Sequence, residues 1–104
     1  MKIALGSDHG GYELKEHIKK FFEEKNIEYV DYGTNSTESV DYPDFGYKVA
    51  MAVKEGECDR GIVCCGTGIG ISISVNKVPG IRCALVSDCY GARMSREHND
   101  ANVL

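Results

Sequence analysis

The sequence predicts an α/β fold in which a parallel sheet of about five strands is covered by helices on both faces. Two observations lead to this prediction. Short apolar runs alternate along the chain with longer segments whose apolar residues recur at helical spacing. Glycine-rich or polar turns separate one kind of segment from the other. Strands that are joined through helices run parallel, and their right-handed crossovers place the helices against the sheet.

The first half of the chain predicts two strands and two helices. Leu14, Ile18, Phe21 and Phe22 form an apolar stripe at helical spacing, with lysine and glutamate between them. Pro43 suits the first turn of a helix, where a missing N–H costs little. The predicted elements are a strand at 3–5, a helix at 12–26, a strand at 27–32 and a helix at 43–55, joined by polar or glycine-rich turns.

The second half contains one ambiguous segment. Ile69, Ile71, Ile73 and Val75 alternate with small residues, which is the periodicity of a strand. A strand there would leave the neighbouring parallel strands without a crossover, so we predict a short helix instead. The predicted elements are a buried strand at 62–64, this helix at 69–76, a strand at 81–86, a helix from Ser87 or Asp88 to about 98, and the start of a strand at 102–104.

The composition indicates a single domain over residues 1–104. The formal net charge is −4 and no basic block is present, which argues against nucleic acid or an anionic membrane surface as a partner. The apolar runs are too short to span a bilayer, and Asp8 follows the first run too early for a signal peptide. Five cysteines without a C-x-x-C pair indicate a reduced, cytoplasmic protein and argue against a zinc site.

The most informative stretch is the loop Cys65-Gly66-Thr67-Gly68-Ile69-Gly70, which follows the buried strand. Glycine at every second position lets the backbone turn sharply and lets a ligand approach it closely. A helix that begins at the end of this loop directs free N–H groups into it, which favours an anion. Cys65 stands at the mouth of the loop. A candidate nucleophile or base therefore lies beside a site for negative charge.

Three known glycine-loop patterns fit this stretch poorly. A Walker loop needs lysine and then serine or threonine after its last glycine, but Thr67 and Gly68 follow Gly66. A cysteine-based phosphatase loop needs an arginine at a fixed distance after the cysteine, and Gly70 or Ile71 stands there instead. Ile71 also occupies the position of the third glycine in the dinucleotide fingerprint.

Polar side chains follow several predicted strands at the carboxyl edge of the sheet, where α/β proteins bind ligands. They are Asp8 and His9 after the first strand, Cys65 and Thr67 after the third, and Ser87 and Asp88 after the fourth. Tyr42 precedes the second helix and can border the same cleft. His98 and Asn99 start at the opposite edge, so a second subunit would have to bring them to this site.

Several of these residues also have a purely structural interpretation. Asp8 can cap the first helix, and Thr67 can be only a turn or cap residue. Tyr42 is more easily explained by packing than by chemistry. His98 can place a charge at a helix C-terminus. Cys64 is best explained as a small buried residue. Several such residues at neighbouring strand ends are harder to dismiss than any one of them.

Five blocks of the sequence together resemble the type B ribose-5-phosphate isomerases, which belong to the ribose/galactose phosphate isomerase family. The resemblance runs over the whole chain in order. The blocks are Gly6-Ser7-Asp8-His9-Gly10-Gly11, Asp41-Tyr42-Pro43, Cys65-Gly66-Thr67-Gly68-Ile69-Gly70, Asn76-Lys77 and Ser95-Arg96-Glu97-His98-Asn99.

The resemblance implies a three-layer α/β/α Rossmann-like fold and an aldose–ketose isomerisation of a sugar phosphate without metal or cofactor. It also implies a homodimer or higher homo-oligomer with shared active sites. Cys65 then resembles the base that moves a proton between C1 and C2, and Thr67 assists at the sugar oxygens. Asp8 and His98 resemble the pair that opens the sugar ring, and His9 a phosphate contact. The implied substrate-binding residues are Asp8, His9, Tyr42, Gly66, Thr67, Gly68, Ile69, Gly70 and Asn99, with the loop amides holding an enediolate.

The sequence departs from the family pattern at its C-terminal end, and the resemblance leaves the substrate and the function open to alternatives. Family members continue past the position of Leu104 with another helix and phosphate-binding arginines, so we expect the C-terminal part of the pattern to be absent here. Ribose 5-phosphate and a six-carbon phosphate such as allose 6-phosphate both suit the motifs. The alternative function is a non-catalytic module that holds a nucleotide or phosphate metabolite on the same fold and gives Cys65 no role. A nicotinamide enzyme is disfavoured by the broken fingerprint.

Overall fold

Three parallel strands form the sheet in the computed structural model, which describes residues 1–104. The strands are β1 at Lys2–Ser7, β2 at Glu28–Asp31 and β3 at Arg60–Cys64. β1 lies in the centre, with β2 on one side and β3 on the other. Both pairings are parallel, as the alternation of strands and helices predicts.

Two further segments extend the sheet by single bridges rather than as strands. Val103 bridges Gly61 of β3, and Cys83 bridges Val103, both in parallel orientation. The prediction of about five strands is therefore wrong in number, because the sheet has three. The predicted strands at 81–86 and 102–104 occupy the expected positions beside β3 but pair with their neighbours at only one residue each.

Side-chain amides bind backbone groups of the segment at 81–86. Asn76 accepts from the Cys83 N–H at 2.7 Å and donates to the Cys83 carbonyl at 2.9 Å. Asn102 Oδ1 accepts from the Arg82 N–H at 2.8 Å. The Arg82 N–H faces the segment at 102–104, so its bond to Asn102 replaces one that a longer ladder would make there. The backbone groups of Cys83 face the outer edge, because Val103 binds Arg82 and Ala84 on either side of it.

Four helices connect or follow the strands at the predicted positions. They are α1 at Tyr12–Glu24, α2 at Tyr42–Lys54, α3 at Ile69–Asn76 and α4 at Cys89–Glu97. Their ends differ from the predicted ends by at most two residues, within the usual spread of helix assignments, and both ends of α3 agree. None of the helices combines the length and apolar character that crossing a membrane requires.

The segment that alternates like a strand is a helix, so the prediction of α3 is confirmed. Two residues advance an α-helix by about 200°, so every second residue falls on nearly opposite faces. Ile71 and Val75 are fully buried, whereas Ile69 and Ile73 are 52% and 55% exposed. The alternation therefore divides into one buried pair and one exposed pair of side chains.

Helices cover both faces of the sheet, as predicted. A Cβ on Gly61 would lie 2.6 Å from Val49 of α2, so this face of β3 packs tightly against α2. Ile62 points the other way and lines a cavity together with Leu14 and Ile18 of α1. The core on the α2 side contains Ala4, Val49, Ala50, Ala52, Cys58, Val63, Ile71, Val75, Val78, Ile81 and Val103.

α1 buries a lysine where the sequence predicts an apolar stripe. Leu14 and Phe21 are 56% and 50% exposed, whereas Lys15 is 1% exposed and Phe22 is 5% exposed. Lys15 Nζ lies 2.7 Å from Asp31 Oδ2 at the end of β2. Glu16 Oε2 lies 3.2 Å from the same amine. Because an unpaired buried charge is costly, these two carboxylates are what permit the lysine to be buried. The predicted stripe is correct for Phe22 and wrong for Leu14 and Phe21.

Candidate active site

The loops that follow β1 and β3 meet because the ends of these strands are paired. Ser7 lies opposite Cys64 in the register, and the Asp8 N–H donates to the Cys64 carbonyl at 3.2 Å. A Cβ on Gly10 would lie 3.1 Å from the amide nitrogen of Gly66. The two loops that carry most of the predicted site residues are therefore in contact.

Cys65 and Thr67 each accept a hydrogen bond from the backbone of their own loop. The Gly68 N–H donates to Cys65 Sγ at 3.1 Å, and the Ile69 N–H donates to Thr67 Oγ1 at 3.1 Å. Gly68 has a φ of 80°, in the left-handed region that favours glycine, and it immediately precedes α3. The turn at Gly68 thus folds the backbone over the two side chains.

The loop offers fewer free amides than the sequence predicts. We expect every amide from Gly66 to Gly70 to face an anion, but those of Gly68 and Ile69 are engaged by the thiol and the hydroxyl. The N–H groups of Gly66, Thr67 and Gly70 donate no hydrogen bond within the chain. These three amides are the donors that remain for a ligand.

A cavity of about 390 Å³ lies on the α1 side of this loop. Its wall is mostly apolar, and the segment from Cys65 to Gly68 forms one edge. A Cβ on Gly68 would lie 2.7 Å from Leu85, which also lines the cavity. Asp8, His9 and Tyr42 do not line it. We therefore place the candidate site at the polar loops, and not in this apolar cavity.

Asp8 is buried after the end of β1 and binds the turn that leads into α1. It is 7% exposed, and its Oδ1 accepts a hydrogen bond from the Gly11 N–H at 3.0 Å. The structural interpretation of Asp8 as the helix cap is wrong, because Gly11 is the N-cap of α1 and the bond from its N–H to Asp8 closes the turn before the helix. Its second carboxylate oxygen makes no hydrogen bond within the chain, so the same side chain can also accept from a ligand.

His9 is exposed and is tied to the loop that precedes α2. The Val40 N–H donates to His9 Nδ1 at 3.1 Å. Nδ1 is thus the acceptor, and the proton of the neutral imidazole lies on Nε2. Nε2 makes no hydrogen bond within the chain, so it can donate to a ligand.

Tyr42 begins α2 and packs on the first turn of α3. A Cβ on Gly70 would lie 2.6 Å from Cζ of the tyrosine and 2.8 Å from its hydroxyl. The side chain is 39% exposed. Tyr42 therefore serves packing, as the structural interpretation holds, and it also borders the free amide of Gly70.

The two ends of α4 carry the remaining predicted residues. Asp88 caps the helix, because its Oδ1 accepts from the Gly91 N–H at 2.6 Å, and Ser87 precedes it. His98 and Asn99 lie at the other end and are exposed. Neither of them hydrogen-bonds to the glycine loop or lines the cavity beside it. Within this chain they do not meet Cys65, as the sequence predicts.

Burial distinguishes the two adjacent cysteines. Cys64 is 6% exposed, and burial raises the pKa of its thiol to about 11. Cys65 is half-buried and accepts the hydrogen bond from Gly68. Burial also raises the pKa of Cys83, to about 12, while Cys89 is exposed. Of the two cysteines beside the loop, only Cys65 combines partial access with an amide donor at its sulfur.

The polar loops present hydrogen-bonding groups and groups that can exchange protons. No group of three or more His, Cys, Asp or Glu side chains is placed to hold a metal ion. The loops offer a carboxylate oxygen, an imidazole N–H, a thiol, a hydroxyl and free backbone amides. Such a set can bind an oxygen-rich anion and move protons to and from it.

Two contacts of this site are not predicted by the sequence. Val40 binds His9 through its backbone N–H, which every residue except proline carries, so its side chain gives no signal. Leu85 covers Gly68, but which residue it meets depends on how distant parts of the chain pack. Only the apolar character of Leu85 indicates that it packs somewhere.

Residues 3–104 match the family described as Ribose/Galactose Isomerase. Ribose-5-phosphate isomerase B of Escherichia coli is 52% identical over 99% of this chain and 69% of its own length. Ribose-5-P isomerase B of Listeria innocua is 49% identical over 100% of this chain and 70% of its own length. The solved structure of ribose-5-phosphate isomerase B from Clostridium thermocellum has 67% identity and a TM-score of 0.99, and the match covers 100% of this chain and 70% of that one.

Proposed function

Because this chain belongs to the ribose/galactose isomerase family and is a sugar-phosphate isomerase, we propose that it interconverts ribose 5-phosphate and ribulose 5-phosphate. The named relatives from Escherichia coli and Clostridium thermocellum support this choice of substrate. The structural observation that carries the proposal is Cys65, whose sulfur accepts a hydrogen bond inside a loop that keeps other amides free. The proposed reaction uses neither a metal nor a cofactor.

In the proposed reaction, Cys65 acts as a thiolate and removes the proton from C2 of the open-chain aldose. The electron pair of that C–H bond forms a double bond between C1 and C2, and the carbonyl electrons move to O1, which gives an enediolate. The proton then returns to C1, and the hydroxyl proton moves from O2 to O1. The Thr67 hydroxyl, which lies in the same turn, is the proposed relay for this second proton.

The free amides of the glycine loop are the proposed site for the enediolate. One donor of this kind typically lowers a barrier by ~3–4 kcal/mol. Gly66, Thr67 and Gly70 offer three amides that have no other partner. We therefore expect the geometry of the loop to matter at least as much as the cysteine does.

The other residues have proposed roles around this centre. Asp8 and His98 open the sugar ring, His9 donates to the phosphate, and Asn99 contacts the sugar. His98 and Asn99 would come from a partner subunit, because they are exposed at the far end of α4 and make no hydrogen bond to the loop. The proposed enzyme is therefore a homodimer or a higher homo-oligomer with shared sites.

A substrate assay on the native protein tests this function. We expect turnover of ribose 5-phosphate, with kcat/KM at least about tenfold above that for allose 6-phosphate, because the longer sugar must fit the same loops. The reverse preference would assign the site to a six-carbon sugar. Tight binding of either phosphate without turnover would contradict the proposal and support the non-catalytic binding module.

A further inference from the structure

We propose that the Val40 N–H positions His9 for the substrate: it occupies Nδ1, keeps the imidazole proton on Nε2, and couples that donor to the loop at 35–41. The inference rests on the proposed function, in which His9 is a substrate contact. It concerns a backbone group outside the glycine loop, and it assigns this group a role in holding a tautomer.

The tautomer of the His9 imidazole depends on its hydrogen bond to Val40. A neutral ring has one N–H and one bare nitrogen, and the bare nitrogen accepts. The Val40 N–H points at Nδ1 from 3.1 Å, so a proton on Nδ1 would face another proton and lose this bond. The ring is exposed and has no other hydrogen bond within the chain, so this one contact selects the tautomer.

The loop that carries Val40 makes few hydrogen bonds to the rest of the protein. At its start, the Thr34 N–H donates to the Ser7 carbonyl at 2.8 Å. Between Asn35 and Val40, the bond to His9 is the only hydrogen bond that ties the loop to the rest of the protein. The other bond there, from the Glu38 N–H to Ser36, is local.

The loop that carries Val40 is connected to α3 through Tyr42. Tyr42 lies two positions after Val40 and packs on Gly70, whose amide is one of the free donors. A contiguous path therefore runs from His9 through Val40 to Tyr42 and the first turn of α3. Loss of the bond frees both the imidazole and the loop, so binding of substrate should weaken more than the chemical step.

Two substitutions of His9 separate its two nitrogens. His9→Asn keeps an acceptor near the place of Nδ1 but has no donor at Nε2. His9→Gln places its amide near Nε2 and has no acceptor near Nδ1. We expect the Val40 amide to exchange with deuterium at a similar rate in the wild type and His9→Asn, and about fivefold faster in His9→Gln, the effect of losing one hydrogen bond. Equal exchange in all three proteins would overturn the proposal.

A matched pair of proline substitutions tests the donor. Val40→Pro removes the N–H that binds His9, and Ser39→Pro removes one that has no partner. We expect Val40→Pro to raise KM for the sugar phosphate about fivefold with little change in kcat. We expect Ser39→Pro to leave both KM and kcat nearly unchanged. Equal effects of the two substitutions would show a general loop effect and contradict the proposal.

Nitrogen-15 spectra of histidine-labelled protein read the tautomer directly and need no substrate. We expect a wild-type His9 that carries its proton on Nε2 wherever the ring is neutral. A proton on Nδ1 there would overturn the proposal even if Val40→Pro fails to fold. If the native protein turns over no sugar phosphate, the exchange and tautomer results still decide this inference, so the two failures are distinguishable.

Discussion

The two adjacent cysteines differ in surroundings, so their reactivity can be compared inside one molecule. Burial raises the pKa of the Cys64 thiol to about 11, whereas Cys65 is partly accessible. Cys89 is exposed and would react as well, so the comparison needs a Cys89→Ser background. We expect iodoacetamide to label Cys65 before Cys64, and sugar phosphate to slow that labelling, as peptide mass spectrometry would show. Preferential labelling of Cys64 would contradict this assignment.

Tyr42 packs so closely on Gly70 that a side chain at position 70 should destabilise the fold. Gly70→Ala places a methyl group 2.6 Å from the tyrosine ring, and overpacking of this kind typically costs about 1–3 kcal/mol. Gly66→Ala is the matched control, because nothing lies within 4 Å of the added Cβ. We expect Gly70→Ala to lower the free energy of unfolding in urea and Gly66→Ala to leave it nearly unchanged. Equal stability of the two variants would show that the tyrosine moves away freely.

The ion pairs between α1 and β2 make the stability depend on pH. Burial opposes ionisation of Asp31, but hydrogen bonds from Lys15 and Lys19 outweigh it and hold the pKa of that carboxyl below its ordinary value. A carboxyl with a lowered pKa stabilises the fold above the pKa of the unfolded chain, about 3.9, and this contribution is lost as the pH falls below it. We therefore expect urea unfolding to show a loss of stability on acidification that Asp31→Asn reduces.

The lysines provide the control for that experiment. Lys15 is 1% exposed and Lys19 lies at the rim with its side chain 23% exposed. Asp31→Asn removes the carboxylate nearest to both, while Glu16 stays 3.2 Å from Lys15 and 2.9 Å from Lys19. We therefore expect it to cost no more than about 3–5 kcal/mol at neutral pH, the range for breaking a buried pair outright. Lys19→Met should cost less, because Lys15 keeps its partner at 2.7 Å. A larger loss in Lys19→Met than in Asp31→Asn would contradict this description of the network.

The order and placement of the helices could be predicted because their signals are local. Pro43 marks the start of α2, and Asp88 marks the start of α4. The helix α3 followed from a topological argument, since a strand there would have left no crossover. The burial of Lys15 could not be predicted, because it depends on Asp31, which reaches it from a different element.

The site could be predicted in part, because the order of the elements determines which loops lie together. Parallel strands bring their carboxyl ends together, so the neighbourhood of Asp8 and the glycine loop follows from the element order. Which amides stay free depends on the conformation of the turn at Gly68, which the sequence does not specify. The bond from Val40 to His9 depends on the path of a loop that has few contacts of its own.

For the assembled protein, the exposed position of His98 predicts a site shared between subunits. Cys65→Ala and His98→Asn should each be inactive, because one lacks the proposed base and the other the proposed ring-opening group. If the groups come from different subunits, an equal mixture of the two variants that is allowed to exchange subunits should recover about a quarter of the activity, since half the dimers are mixed and each has one intact site. No recovery, with exchange verified by mass, would place both groups in one subunit.

Cys65 as the base at C2 is the assignment on which the proposed reaction depends, and hydrogen exchange at that carbon tests it most directly. The measurement is the incorporation of solvent deuterium at C2 of ribose 5-phosphate during turnover, followed by proton NMR, for the native protein, Cys65→Ala and Cys64→Ala. We expect Cys65→Ala to keep its fold and lose both exchange and turnover by about a hundredfold or more. Cys64→Ala should keep both and lose only about 1 kcal/mol of stability, as a small core truncation does. Near-normal exchange and turnover in Cys65→Ala would show that another residue moves the proton.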